Sequence, residues 1–286
     1  AERLVALYAR RKSATGFAFP QDTDWQVEFE AEFPYEETED QLRSIEEVKS
    51  DMEKIEPMDR LVCGDVGYGK TEVAMRAAFK AVVSGKQVIF LAPTTILAEQ
   101  HYENFTERFT RFPVQIEMIS RFVPKAQQKK TIERMKNGEV DVLIGTHRVL
   151  QKDVQFKSIG LLVVDEEQRF GVKDKERLKE LKTSVDVLTL SATPIPRTLH
   201  MSLLQIRDMS VINTPPLDRR PIETYVQEFQ EEEVAKAIRR EVERGGQVFY
   251  LHNRVETLRQ VQQFLERIVP EVMIRTAHGR MSSSQL

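Results

Sequence analysis

The chain has 286 residues, 41% of them hydrophobic and 30% charged, which is enough for two ordinary domains, and no apolar run approaches the length of a bilayer span. A net charge of −3 provides no global field for a polyanion, so any grip on nucleic acid has to come from local contacts. One cysteine, Cys63, excludes an internal disulfide framework and a thiolate metal cluster, and the expected compartment is the cytoplasm.

Taken in order, residues 1–19 predict a charged helix with Leu4, Leu7 and Tyr8 on one face, stopping near Gly16. This opening stretch lacks the apolar segment of a signal peptide. Residues 20–36 are acidic and aromatic, with Trp25, Phe29, Phe33 and Tyr35, and read with the first helix as a connector, 1–36. Thr38, followed by acids, predicts the N-cap of a helix carrying Leu42, Ile45, Val48 and Met52. The first lobe, 37–213, then alternates strands at 60–64, 88–91, 116–119, 142–144, 161–164 and 187–190 with helices at 70–83, 96–108 and 126–136. Uninterrupted apolar strands such as Leu161 to Val164, separated by amphipathic helices, predict a parallel sheet covered on both faces. Three prolines within Thr214 to Pro221 mark a linker. Beyond it the spacing predicts strands at 222–228, 247–251 and 272–276 with helices at 231–244 and 256–268, a second lobe, 222–286, expected to be incomplete.

Gly64 to Thr71 fits G-x-x-x-x-G-K-[ST], between a short apolar strand and a helix. Glycines at Gly64, Gly67 and Gly69 let backbone N–H groups point inward at phosphate oxygens. Lys70 carries the charge for β- and γ-phosphates, Thr71 a hydroxyl for Mg²⁺, and the following helix turns its positive end to the anion. The reading is an ATP or ADP site. Asp165 and Glu166 end a buried strand, where open α/β sheets place their ligands. Asp165 suits a metal ion and Glu166 a general base for water attacking the γ-phosphate. Other polar loops follow strands at Thr94, at Thr146-His147-Arg148 and at Ser191-Ala192-Thr193.

Together these stretches resemble the motifs of superfamily 2 helicase and translocase motors: motif I at 64–71, Ia at 91–101, Ib at 145–150, II at Asp165-Glu166-Glu167-Gln168 and III at Ser191-Ala192-Thr193. Within that superfamily the chain is similar to the RecG-type branch-migration helicases and, more closely, to the transcription-repair coupling factors, on the run Asp59 to Phe79. The resemblance implies an α/β fold with a RecA-like parallel sheet and helices on both faces, followed by a truncated second RecA-like lobe. It implies Lys70, Asp165, Glu166 and Gln168 as catalytic residues. Phe33, Gln41, Gly64, Gly67, Gly69, Lys70, Thr71 and Glu72 would hold the nucleotide, Thr71 and Asp165 the Mg²⁺. Phe33 reads equally as a packing aromatic. Double-stranded DNA would meet Thr94, Thr146, His147 and Arg148 in the first lobe and Asn253, Arg254, His278, Gly279 and Arg280 in the second.

RNA polymerase and UvrA are the further partners the likeness implies, through segments outside this chain. Motifs V and VI, which carry arginines for the γ-phosphate, are not recognisable after Arg280. Nucleotide binding with feeble turnover is therefore the expectation for the chain alone. A RecG-type helicase and a nucleotide-binding module without turnover remain the alternative readings.

Overall fold

Seven strands build one sheet in the computed structural model: β1 (Asp59–Gly64), β2 (Gln87–Leu91), β3 (Ile116–Ile119), β4 (Val142–Gly145), β5 (Ile159–Asp165), β6 (Asp186–Ser191) and β7 (Asp208–Ile212). Their order is β3-β4-β2-β5-β6-β1-β7, and every neighbouring pair runs parallel. The structure describes residues 14–171, 174, 178, 181, 183–192, 207–217, 219, 222–279 and 281. They fall into two units, divided after Arg219.

Successive side chains of a strand point to opposite faces, and here both faces are dry. Phe90, Val163 and Leu188 enter one core, and their neighbours Leu91, Val164 and Val187 enter the other. The first core is covered by α1 (Asp24–Ala31), α2 (Glu39–Met52), α3 (Lys70–Val83) and α4 (Thr95–Arg108), which contribute Phe29, Val48, Phe79 and Phe105. The second is covered by α5 (Lys125–Asn137) through Met135, with Leu150, Phe170 and Leu178. Burial on both sides is why these strands are apolar without alternation.

Local chemistry sets the helix ends. Thr38 Oγ1 accepts from the Gln41 N–H, while the Thr38 N–H donates to Gln41 Oε1, a reciprocal capping box at the start of α2. Gly138 closes α5 at φ 81°, in the left-handed region where a Cβ is penalised.

Two elements escaped the sequence reading. One is α1, which buries only Gln26 and Phe29 and so shows little apolar periodicity. The other is β7, a short edge strand burying only Ser210 and Ile212. Of the predicted first helix, residues 1–13 lie outside the described residues, and residues 14–20 are not helical. Instead they run over the body, with the Gly16 N–H donating to Ile55 O at 2.8 Å and the Phe19 N–H to Met52 O at 2.9 Å. Phe29 then stacks on Phe79 with ring centroids 4.2 Å apart. The connector packs into the first unit.

In the second unit, α6 (Glu231–Glu243) and α7 (Leu258–Ile268) pack through Ala235, Ile238, Leu265 and Val269. The three strands predicted there do not form: 222–228, 247–251 and 272–276 carry no strand pairing. A strand is stabilised by the N–H and C=O groups of a neighbour, which an apolar sequence pattern cannot supply. Val226 and Phe249 are each 96% exposed instead.

The exit of β7 is tied to α2 through Asp40. Its carboxylate accepts from the N–H groups of Asn213 and Thr214 and from the Thr214 hydroxyl, each at 2.9 Å, and Arg43 bonds its other oxygen. The Asn213 N–H first, then the Thr214 groups and Arg43, hold its pKa down from 3.8 to about 2. A depressed carboxylate stabilises the fold above its unfolded pKa and loses that contribution as pH falls through the folded value. The stability difference between wild type and Asp40→Asn should be fully present at pH 5 and should vanish between about pH 4 and pH 2. Urea unfolding of both proteins at a series of pH values measures it, and a pH-independent difference would contradict the tie.

Candidate active site

The loop after β1 is shaped by its glycines. Gly67 and Gly69 lie at φ 81° and 82°, where other residues are strained. A Cβ on Gly64 would stand 3.0 Å from Ile212 O of β7. On Gly69 it would stand 2.3 Å from Gln41 Nε2. Gln41 is buried behind the loop, and its Nε2 donates to the Tyr68 carbonyl at 2.9 Å. One amide therefore caps α2 and anchors the loop.

Lys70 opens α3, whose first N–H groups have no acceptor within the helix and face the loop. Its Nζ donates to Gly64 O at 2.6 Å and to Asp65 O at 2.9 Å. Burial lowers the Lys70 pKa, and the charges of Glu166 and Asp165 oppose that shift. The Lys70 ammonium and the two carboxylates thus share one electrostatic site, although nearly a hundred residues separate them in sequence. Thr71 follows in the first turn of α3, partly buried.

Asp165 ends β5, and Glu166 follows at φ 50°, ψ 56°. Among the described residues it is the one non-glycine residue in the left-handed region, a conformation costing of order 1–3 kcal/mol. The tertiary structure holds it there: its N–H donates to Leu190 O at 2.9 Å, and its Oε1 accepts from the Ala192 N–H at 2.7 Å. Gln168 Nε2 donates to Oε2 of the same carboxylate. Glu167 instead faces Arg207 at 3.5 Å, and Arg207 also pairs with Asp59 at 2.9 Å.

Two residues here were given no role in the site by the sequence reading. His101, from α4, places Nε2 3.2 Å from Asp165 Oδ2. Arg219 pairs with Asp65 at 2.9 Å and lies 4.6 Å from the centre of the Tyr68 ring, clasping the loop from outside. His101 ends the 91–101 stretch and Arg219 lies in the Pro-rich linker, and the spacing of neither stretch shows that its side chain reaches the site, because each comes from a separate element.

The other candidates divide. Phe33 is partly buried, with the Arg76 guanidinium 5.3 Å and the Tyr35 ring 5.5 Å from its centre. Glu72 is buried and gives its carboxylate to Arg76 at 2.9 Å and Arg108 at 3.2 Å. Thr94 caps α4 by accepting from the Leu97 N–H at 3.2 Å. Thr146 is buried, His147 is exposed, and Arg148 is clasped bidentately by Asp153 at 2.7 and 2.8 Å. Because β2 and β4 are neighbours, Thr94 and the 146–148 turn emerge side by side. Asn253, Arg254 and Gly279 are exposed on the second unit, with His278 partly buried. Arg280 and Thr193 lie outside the described residues.

Among the described residues no group of three His, Cys, Asp or Glu side chains could hold a metal ion. Thr71 and Asp165 offer hard oxygen donors beside the loop. That set suits Mg²⁺ completing its shell with phosphate oxygens and water, and does not suit a structural transition metal.

Residues 38–202 match the DEAD/DEAH box helicase family, and the chain belongs to that family. Over all 286 residues it is 57% identical to a transcription-repair-coupling factor of Bacillus subtilis and 56% identical to one of Staphylococcus aureus, spanning 24% of the length of each. Among solved structures, RecG bound to a three-way DNA junction superposes with a TM-score of 0.76 at 32% identity, over 94% of this chain and 37% of that one. The helicase MrfA bound to DNA, at 14% identity and a TM-score of 0.62 over 90% of this chain and 40% of that one, shares the fold.

The double use of Gln41 gives a test of the loop anchor. Gln41→Ala removes one arm of the capping box and the bond to Tyr68 O, and should lower stability by about 1–2 kcal/mol. Urea unfolding reads this, and a wild-type midpoint would show that the amide anchors nothing.

Proposed function

We propose that this chain is the nucleotide-binding motor core of a transcription-repair coupling factor, an enzyme that hydrolyses ATP with Mg²⁺ to move along double-stranded DNA. The observation that carries the reading is the parallel register of β1, β6 and β5, which releases the 64–71 loop and the Asp165-Glu166 pair on one edge of the sheet. The full-chain likeness to coupling factors favours this over a RecG-type helicase.

In this reading the N–H groups of the 64–71 loop and the start of α3 cradle the phosphates, and Lys70 pairs with the β- and γ-oxygens. Thr71 and Asp165 would hold Mg²⁺, which neutralises charge on the phosphates. Glu166 takes the proton of the attacking water, and Gln168 and the Ala192 N–H hold its carboxylate meanwhile. Gln41 holds the loop, and Phe33 borders the adenine side. Backbone contacts to duplex DNA would fall on Thr94, Thr146, His147 and Arg148, with Asn253, Arg254, His278, Gly279 and Arg280 on the second unit. Hydroxyl, amide and basic groups position phosphates without reading sequence. RNA polymerase and UvrA are partners proposed for the full-length protein, which would work in the cytoplasm, where its DNA is.

Lys70→Ala removes a charge-assisted contact to phosphate and should weaken Mg·ADP binding about 10- to 100-fold, as read by calorimetry. Equal affinity of the two proteins would overturn the phosphate-loop assignment. Glu166→Gln, made in the full-length protein, should retain ATP binding and lower DNA-stimulated turnover by about two orders of magnitude or more, because the amide cannot take up the proton. Steady-state ATPase with and without duplex DNA measures it, and unchanged turnover would move the base elsewhere.

A further inference from the structure

The imidazole of His101, the last residue of motif Ia, is the feature of the site to which neither the sequence reading nor the proposed chemistry gives a role. It lies on α4, two turns after the cap at Thr94, and is only 7% exposed. Its ring packs on Phe90 of β2 with centroids 4.4 Å apart, which fixes the plane of the imidazole. Nε2 faces Asp165 Oδ2 at 3.2 Å. An ionised carboxylate only accepts, so Nε2 carries the proton and donates. On the other side of the ring, Nδ1 is buried with no hydrogen-bond partner. The ring therefore makes one polar contact, to Asp165, at the cost of leaving a buried ring nitrogen unmatched. A buried histidine there for packing alone would be better replaced by an apolar side chain of similar size.

Asp165 is otherwise free to rotate about its terminal torsion, which is broad and roughly two-fold. A donor fixed on Oδ2 stops that rotation and leaves Oδ1 as the oxygen that accepts no hydrogen bond. Carboxylates that ligate metals are held in this way by neighbours that never touch the ion, and removing such a neighbour typically costs 10- to 100-fold in metal affinity.

We propose that His101 is a positioning residue for the divalent ion: its Nε2–H fixes Asp165 in the orientation that binds the metal, and so joins α4 to the metal site. The proposal rests on the reading of Asp165 as a metal ligand. Because Thr94 and His101 share one helix, a shift of α4 would displace this donor relative to Asp165.

The probe is Mn²⁺, which can stand in for Mg²⁺ and whose free concentration is read by electron paramagnetic resonance, added to the chain saturated with ADP. ADP affinity is measured separately in EDTA. His101→Leu keeps the volume and removes the donor, whereas His101→Gln returns an N–H close to the position of Nε2. Asp165→Asn serves as the control on the underlying reading. The expected result is unchanged ADP affinity in EDTA for the two His101 variants. Mn²⁺ affinity should fall about 10- to 100-fold in H101L, return to within a few-fold of wild type in H101Q, and fall at least as far in D165N. Should H101L fail to fold, His101→Asn, whose shorter amide does not reach Asp165, takes its place. Wild-type Mn²⁺ affinity in H101L beside a weakened D165N would overturn the inference alone. Equal losses in H101L and H101Q would overturn it too, since packing rather than the donor would then be at work. Wild-type affinity in D165N would remove the metal reading of Asp165, and the inference with it.

Discussion

The parallel register of β5, β6 and β1 is the constraint on which the site depends. Asp165 lies opposite Leu190, and Cys63 opposite Ser191, so the three strands end nearly level and release their loops on the same edge. With β6 between them, the phosphate loop and the carboxylates stand about two strand spacings apart, roughly 10 Å. That interval leaves room for phosphate between Lys70 and the acids. Adjacent β1 and β5 would crowd the two, and an antiparallel β5 would carry Asp165 to the opposite edge.

A second constraint is the charge buried beside the sheet. Lys80, 2% exposed, pairs with Asp22 at 2.7 Å and Glu53 at 2.8 Å, and Arg76, also 2% exposed, pairs with Glu37 at 2.6 Å and Glu72 at 2.9 Å. Lys49 shares Asp22 with Lys80, at 2.7 Å. Buried ions add little net stability, but removing one partner strands the other, at several kcal/mol. The segment 14–37 supplies Asp22, Glu30 and Glu37 to these networks, so it is fastened to the helix that begins at Lys70. The same helix carries the proposed phosphate-binding end and the anchor of the connector.

Strain and support meet at Glu166. A left-handed conformation at a glutamate survives only where the surroundings over-determine it, and the Leu190 carbonyl, the Ala192 N–H and Gln168 do so. Two of the three come from the end of β6 and the residue after it. Motif III is thereby coupled to motif II through the hydrogen bond from the Ala192 N–H to the Glu166 carboxylate, and the position of the proposed base follows the geometry of the loop after β6.

Much was legible in the chain because local rules decide it. The loop glycines, the capping box at Thr38, the apolar strands and the helices between them rest on sterics and periodicity within a few residues, and six of the seven strands and the helices α2 to α5 were read from them. The positions of Lys70, Asp165 and Glu166 on one edge followed from the parallel-sheet rule. What lay beyond local reading was long-range partnership. The helix α1 and the edge strand β7 exist because of what they pack or pair with, and the 222–228, 247–251 and 272–276 segments have strand-like sequences without a ladder. His101 and Arg219 reach the site from elements that their own sequence neighbourhoods do not link to it. Sequence by itself singled out the residues proposed to carry the chemistry and determined the direction of the strands, since these depend on side-chain type and short-range sterics. Only the tertiary structure decided which groups hold Asp165, Glu166 and the loop in place, because a hydrogen bond between residues far apart in sequence depends on where the fold brings them.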